Sequence, residues 1–198
     1  MIRARPVAGD SELGEKFLEQ AHVFAYSQPL TRDKIAQTVH NRQRKETQAT
    51  HITSTSRRQR IRTQTIDVKS GYGGLVDIEF AVQTLQLSYG TKHPEVRVQN
   101  AVEAITRSHE AEVLTAKQQQ QLIEAYKFLR RAENSLYIVH DLPLHALPDK
   151  AAELEQLAKR LGYLDGEARA SNQFLKDYQG CTQDTRALFN QLLDVQAA

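Results

Sequence analysis

The stretch from Thr115 to His140 constrains the fold of this chain more than any other. Across 26 residues without a glycine or proline, apolar side chains recur at Leu122, Tyr126, Leu129 and Leu136. That spacing keeps one face apolar only if the backbone is helical, at about 3.6 residues per turn. Thr115 with Gln118 three residues on forms a capping-box pattern at the start, and Pro143 marks the end.

Similar stripes recur along the sequence. Leu13, Phe17, Leu18, Ala21 and Phe24 predict a first helix ending near Pro29, with Asp10 as its N-cap. Ile35 and Val39 suggest a short second helix from Thr31. Leu75, Ile78, Val82, Leu85 and Tyr89 form one stripe of a third, closed by Gly90, while Phe80 and Leu87 fall on nearly the opposite face. That helix is expected to pack on two sides, with a polar line of Glu79, Gln83 and Gln86 between them. Val98, Ala101, Val102 and Ile105 mark a helix entered after Pro94, Leu154, Leu157 and Leu161 one capped by Asp149 and stopped by Gly162, and Phe174, Tyr178, Cys181, Leu188 and Leu192 the last. No segment alternates at period two and there are no internal repeats. The expected fold is all-α, an antiparallel bundle with four long helices of roughly 15 to 28 residues and shorter helices packed around it.

Three units follow. Residues 1–41 read as an N-terminal helical segment, 42–68 as a polar basic linker expected to be disordered, and 69–198 as the bundle. From Arg32 to Lys69 there are ten Lys or Arg against three Asp or Glu, a local charge of +7 within a chain of net charge +2. This asymmetry suits either a solvated connector or a module that binds nucleic acid or an acidic protein. The stretch has no aromatic residues to stack on bases, so nucleic acid is the weaker choice. No run approaches the roughly 18 apolar residues of a membrane span, and the N-terminus lacks the apolar core of a signal peptide. A cytoplasmic protein without a membrane partner is expected. Cys181 is the single cysteine, so an internal disulfide is excluded and a small core residue is the simplest role.

Chemistry concentrates around Lys69-Ser-Gly-Tyr-Gly-Gly-Leu-Val-Asp-Ile-Glu-Phe80. Gly71, Gly73 and Gly74 stand directly before a helix start, whose open amides can hold an anion such as phosphate; the alternative is a tight loop feeding a buried helix. Asp77 falls in the first turn, where it suits the helix dipole and can accept from free amides, and its charge disfavours a bare phosphate unless Lys69, an arginine or Mg²⁺ intervenes. Asp77 and Glu79, two residues apart on a helix, point to nearly opposite sides and cannot share one ion. Glu133, at the edge of an apolar stripe, calls for a cation. Arg130 lies three residues before it, with Arg3 and Arg5 as further candidates, and a substrate-facing role is the alternative. The seven histidines show no metal spacing, and His140 and His145 read as structural or exposed.

Four segments carry a resemblance. Arg3-Ala-Arg-Pro-Val-Ala-Gly-Asp10, Asp67-Val-Lys-Ser-Gly-Tyr-Gly-Gly-Leu-Val-Asp-Ile-Glu-Phe-Ala-Val-Gln83, Tyr126-Lys-Phe-Leu-Arg-Arg-Ala-Glu-Asn134 and His145-Ala-Leu-Pro-Asp149 resemble, in order and spacing, motifs of the glutamine synthetase adenylyltransferase family. Members hold two nucleotidyltransferase halves, each followed by a helical domain; one half attaches AMP to a tyrosine of glutamine synthetase and the other removes it by phosphorolysis. The resemblance implies that this chain is one of those helical domains, more like the one that follows the N-terminal, adenylyl-removing half. The run from Arg42 to Thr65 departs from the family, which has a basic amphipathic helix there.

The resemblance also implies partners: a nucleotidyltransferase core domain or subunit, glutamine synthetase, and a PII-type regulator. It implies Mg²⁺ with ATP or ADP for the catalytic core, and no cofactor bound by this chain alone. The family's catalytic Gly-Ser motif and paired aspartates are missing from these 198 residues. The chain is therefore expected to be catalytically silent by itself, with Arg3, Arg5, Lys69, Gly71, Gly73, Gly74, Asp77 and Glu79 at a domain junction near nucleotide, and Arg130 with Glu133 as a buried ion pair.

Overall fold

The computed structural model describes residues 10–27, 34, 37, 66–140 and 145–197. Among them are six α-helices and no strand: α1 (Ser11–Tyr26), α2 (Leu75–Tyr89), α3 (Ala101–Glu110), α4 (Ala116–His140), α5 (Ala151–Arg160) and α6 (Ala170–Ala197), with a 3-10 turn at Pro94–Val96. The fold is all-α. Apart from Lys34 and Gln37, which are helical, the short helix expected from Thr31 lies outside the described residues, as do the linker core and the residues around Pro143.

Side chains define most helix starts. Asp10 accepts from the Leu13 amide at 3.0 Å, capping α1. Thr115 and Gln118 close a reciprocal box at α4, with Thr115 N donating to Gln118 Oε1 at 2.9 Å and Gln118 N to Thr115 Oγ1 at 3.3 Å. Two boundaries differ from expectation. Asn100, accepting from the Val102 and Glu103 amides, starts α3, so Val98 lies ahead of the helix and α3 has only 10 residues. Pro94 opens the separate 3-10 turn instead, so the helix expected to be a long bundle member is short. Lys150, without a side-chain cap, is the N-cap of α5 in place of Asp149.

Helices α2, α4 and α6 contact one another pairwise; α3 covers α2 and α4, and α5 covers α4 and α6. Their shared core is built from Leu75, Ile78, Val82, Leu122, Leu129, Leu136, Phe174 and Phe189, with Ile105 and Leu157 from the two short helices. Phe80, half-buried, meets the Phe189 ring at 5.9 Å, so α2 is packed on two sides. From its polar line, Gln86 is buried and donates to the carbonyls of Val96 and Val98 at 2.8 and 2.7 Å. This satisfies the amide and fixes the chain that leaves α2. Cys181 is half-buried on α6, where burial pushes its thiol up to about 11 and keeps it protonated at neutral pH.

Helix α1 joins this body through its C-terminal end. The Arg97 guanidinium lies over the Tyr26 ring at 4.5 Å, and Thr91 Oγ1 donates to the Tyr26 carbonyl at 2.9 Å. Gly90 ends α2 in a right-handed conformation, and its missing side chain is what admits the Tyr26 ring.

Candidate functional site

The glycine segment is held from behind by a short antiparallel bridge between Asp67 and Ala146. Val68 N donates to the His145 carbonyl and Leu147 N to that of Ile66, each at 2.8 Å. Val68 and Leu147 are buried in the core, so the bridge fixes the entry to the loop against the helices. The Asp67 carboxylate then accepts from the Lys69 and Ser70 amides at 2.8 Å and from Ser70 Oγ at 2.7 Å, turning the chain.

The donors expected to be open at the start of α2 are occupied. Gly71, Gly74, Leu75, Val76 and Asp77 amides donate to the carbonyls of Asp67, Gly71, Val68, Lys69 and Gly74. Gly73 N donates to Asp77 Oδ2 at 2.9 Å. A phosphate cradle would need these N–H groups free, and here the protein uses them itself. All three glycines are sterically required; a Cβ on Gly74 would crowd the carbonyl oxygens of Lys69, Gly71 and Val68 at 2.8–2.9 Å. Gly73 has φ +66, and a Cβ there would run into the Thr182 carbonyl of α6; one on Gly71 would strike the Asp67 carbonyl.

Asp77 is fully buried and receives the Arg186 guanidinium at 2.9 Å. Arg186 is itself buried between two rings, 5.1 Å from Phe189 and 5.2 Å from Tyr72. Loop, α2 and α6 are thereby fastened at one point, by backbone contact at Gly73 and by charge at Asp77. The Tyr72 ring closes the outer side of Arg186 and stays largely exposed.

Glu79 turns the other way. Arg130 of α4 donates through Nη2 to Glu79 Oε1 at 2.6 Å, through Nη1 to Glu133 Oε2 at 2.7 Å, and through Nε to the Tyr126 hydroxyl at 3.1 Å. Glu133 is buried, and its second oxygen lies 3.4 Å from His145 Nδ1. The His145 ring meets Tyr137 edge-on at 5.5 Å. Burial works against the charge of Arg130, but the hydrogen bonds to Tyr126 and Glu133 outweigh it and hold its pKa above the ordinary value. Because the His145 carbonyl also anchors Val68, this polar network and the glycine loop are one continuous structure.

Arg3 and Arg5 lie outside the described residues. Lys69 and the three glycines form the loop, Asp77 points to α6 and Glu79 to α4, and Arg130 meets Glu133 directly. Sequence reasoning does not single out Arg186, nor does it give His145 a place in this network. A signal for Arg186 exists: it is a cation between Thr182 and Phe189, one turn to either side on the core face of the last helix, and such a cation needs an acid from elsewhere.

Among the described residues, no cluster of three or more His, Cys, Asp or Glu is placed to hold a metal ion. With these loop amides used internally the loop does not fit a nucleotide phosphate, and with Asp77 on Arg186 and Glu79 on Arg130 the two carboxylates do not converge on an ion; no chemical step is assigned to them. A concavity of about 230 Å³ between Phe128, Arg131, Leu161, Gly162 and Tyr163 shares no residue with the network. Among the described residues, no helix is long and apolar enough to cross a membrane.

These features define an all-α fold whose glycine loop is buckled to α2 and α6 by internal contacts. The family model described as GlnD PII-uridylyltransferase matches residues 32–193. Relatives named bifunctional glutamine synthetase adenylyltransferase/adenylyl-removing enzyme share this sequence. That of Agrobacterium fabrum is 37% identical over 167 residues, covering 84% of this chain and 16% of its own length. That of Bradyrhizobium diazoefficiens is 37% identical over 170 residues, 86% and 16%, and that of Rhodopseudomonas palustris 36% identical over 182 residues, 91% and 18%. The chain belongs to this adenylyltransferase and uridylyltransferase family, and spans about a sixth of the length of the curated relatives it matches.

Proposed function

We propose that this chain is the helical accessory domain of a glutamine synthetase adenylyltransferase system, held against a nucleotidyltransferase core and helping to position the substrate protein for AMP transfer or removal. Glutamine synthetase is then the macromolecular substrate. Mg²⁺ and ATP or ADP belong to the core, which supplies the chemistry when those groups are bound; a PII-type regulator acts on the assembled enzyme. Resemblance to the helical domain behind the adenylyl-removing half favours the removal side.

The observation that carries this reading is how the glycine motif is used. All its amides but that of Tyr72, and its one buried charge, Asp77, are spent internally, which makes a stiff edge instead of a ligand cradle. What it offers outward is the Tyr72 ring, backed by Arg186. A rigid aromatic backed by a fixed cation suits the centre of a protein contact. Arg130, about one-third exposed while holding two carboxylates, is a second fixed polar group of the same structure.

The test is reconstitution in trans. Purified chain added to the nucleotidyltransferase segment of the Rhodopseudomonas palustris relative is expected to restore AMP transfer to, or removal from, glutamine synthetase. Tyr72→Ala, which leaves the buried pair in place, is expected to cut that restoration at least tenfold with unchanged helicity. A folded chain that neither binds the core nor restores activity refutes the reading.

A further inference from the structure

Helix α1 carries an apolar face that nothing in the described structure covers. Leu13, Phe17, Val23 and Phe24 are between 55% and 74% exposed, while Ala21 and Tyr26, on the side that meets the body, are buried. At about 100° per residue, Leu13, Phe17, Gln20 and Phe24 fall on one line, with successive spacings of four, three and four residues, and Val23 flanks it. That is the seam spacing of a helix that packs lengthwise against another helix. Four large apolar side chains grouped this way exceed the scattered exposure that is ordinary on a surface.

Two observations narrow the occupant. At about 150–250 Å² for a buried aromatic and less for Leu and Val, the seam hides on the order of 500 Å² per copy, below the about 800 Å² per partner of a stable interface. A free second copy is therefore too weak a partner, whereas one delivered at high effective concentration by the same assembly is not. The polar side of α1 carries Glu12, Glu15 and Glu19 against Lys16, opposite in sign to the Lys- and Arg-rich face of a helix that lies on an anionic membrane. The family match begins at residue 32, beyond α1, yet the match to the Rhodopseudomonas palustris enzyme covers 91% of the chain and therefore reaches into α1. The helix thus lies outside the matched stretch of the family model and is shared with a protein about five times as long.

We infer that the Leu13, Phe17 and Phe24 face of α1 is the docking seam for an amphipathic helix of the adjoining nucleotidyltransferase part, with a basic flank opposite the three glutamates. This rests on the reading that the chain works beside such a core, and adds a second contact remote in sequence from Tyr72.

The intact chain and its Phe17→Glu/Phe24→Glu variant are compared. Alone, both are expected to sediment as monomers and to melt within about 2 °C of each other, since the face is open. On adding the nucleotidyltransferase segment of the Rhodopseudomonas palustris enzyme, amide exchange of residues 11–26 should slow severalfold in the wild-type chain. The double variant should bind that segment at least tenfold more weakly. A variant that melts much lower alone, showing that the chain covers its own seam, overturns the inference. So does a wild-type dimer that the variant abolishes, or wild-type binding to anionic phospholipid vesicles. If the segment binds and Tyr72→Ala weakens it while the α1 variant does not, the seam proposal fails and the wider reading stands. If the segment does not bind at all, both fail.

Discussion

Asp77 and Glu79 sit two residues apart on one helix and each holds an arginine, yet they are different kinds of ion pair. Asp77 and Arg186 are both buried, and the pair bridges 109 positions of sequence between α2 and α6. The Glu79 side chain is 20% exposed and its partner Arg130 is 37% exposed. A sealed pair gains little over an apolar pair of the same shape, because desolvation offsets the attraction, but it makes the loss of either member severe. An open pair contributes modestly and yields to salt. The first therefore fixes where the glycine loop sits, and the second leaves polar groups within reach of solvent and partners.

The largest effect is expected from breaking the sealed pair on one side. Arg186→Met strands the Asp77 carboxylate in the core and should cost about 3–5 kcal/mol by urea unfolding. Adding Asp77→Asn removes the stranded charge and keeps an oxygen to accept from Gly73 N. The double variant should regain about 2 kcal/mol of that loss. If the two changes are simply additive, Asp77 and Arg186 are not the coupled pair described.

Next in size is Gly73→Ala. It meets both a left-handed backbone and the Thr182 carbonyl, and relief requires α2 and α6 to part. A loss of about 2–3 kcal/mol is expected, combining strain with overpacking. Gly162→Ala is the control: its φ is +96 but its Cβ would face open space, so only the backbone cost of about 1–2 kcal/mol should remain. Equal losses at the two glycines would remove the evidence that Gly73 works by close approach.

The helices are readable because each needs only local information. Stripes at Leu75, Ile78, Val82 and Leu85, or the Thr115 and Gln118 box, are complete within a few turns. Even the divergence of Asp77 and Glu79 follows from helical geometry. Arg186 cannot be assigned to Asp77 from the chain alone, because nothing local states which of several helices approaches α2. The choice between an open phosphate-holding start and a tight loop is closed to the sequence for a related reason: the acceptors of these amides include Val68 O and Lys69 O, placed by a turn whose anchor, the bridge to Ala146, lies 79 residues away. The helix expected after Pro94 is overlong because Asn100 caps a new start within it. His145 gains its role from the same bridge, which brings its ring to Glu133.

The smallest expected effect tests the open pair. Glu79→Ala removes one of two carboxylates on Arg130, and Glu133 and Tyr126 still hold the guanidinium. The loss should be at most about 1 kcal/mol at low ionic strength and should shrink toward zero as salt is raised. The Arg186→Met loss should persist through the same titration, because its site excludes counterions. A Glu79→Ala cost that matches Arg186→Met in size and salt resistance would mean that Arg130 is as sealed as Arg186. The distinction between a buckle that sets the loop and a network that stays available at the surface would then collapse.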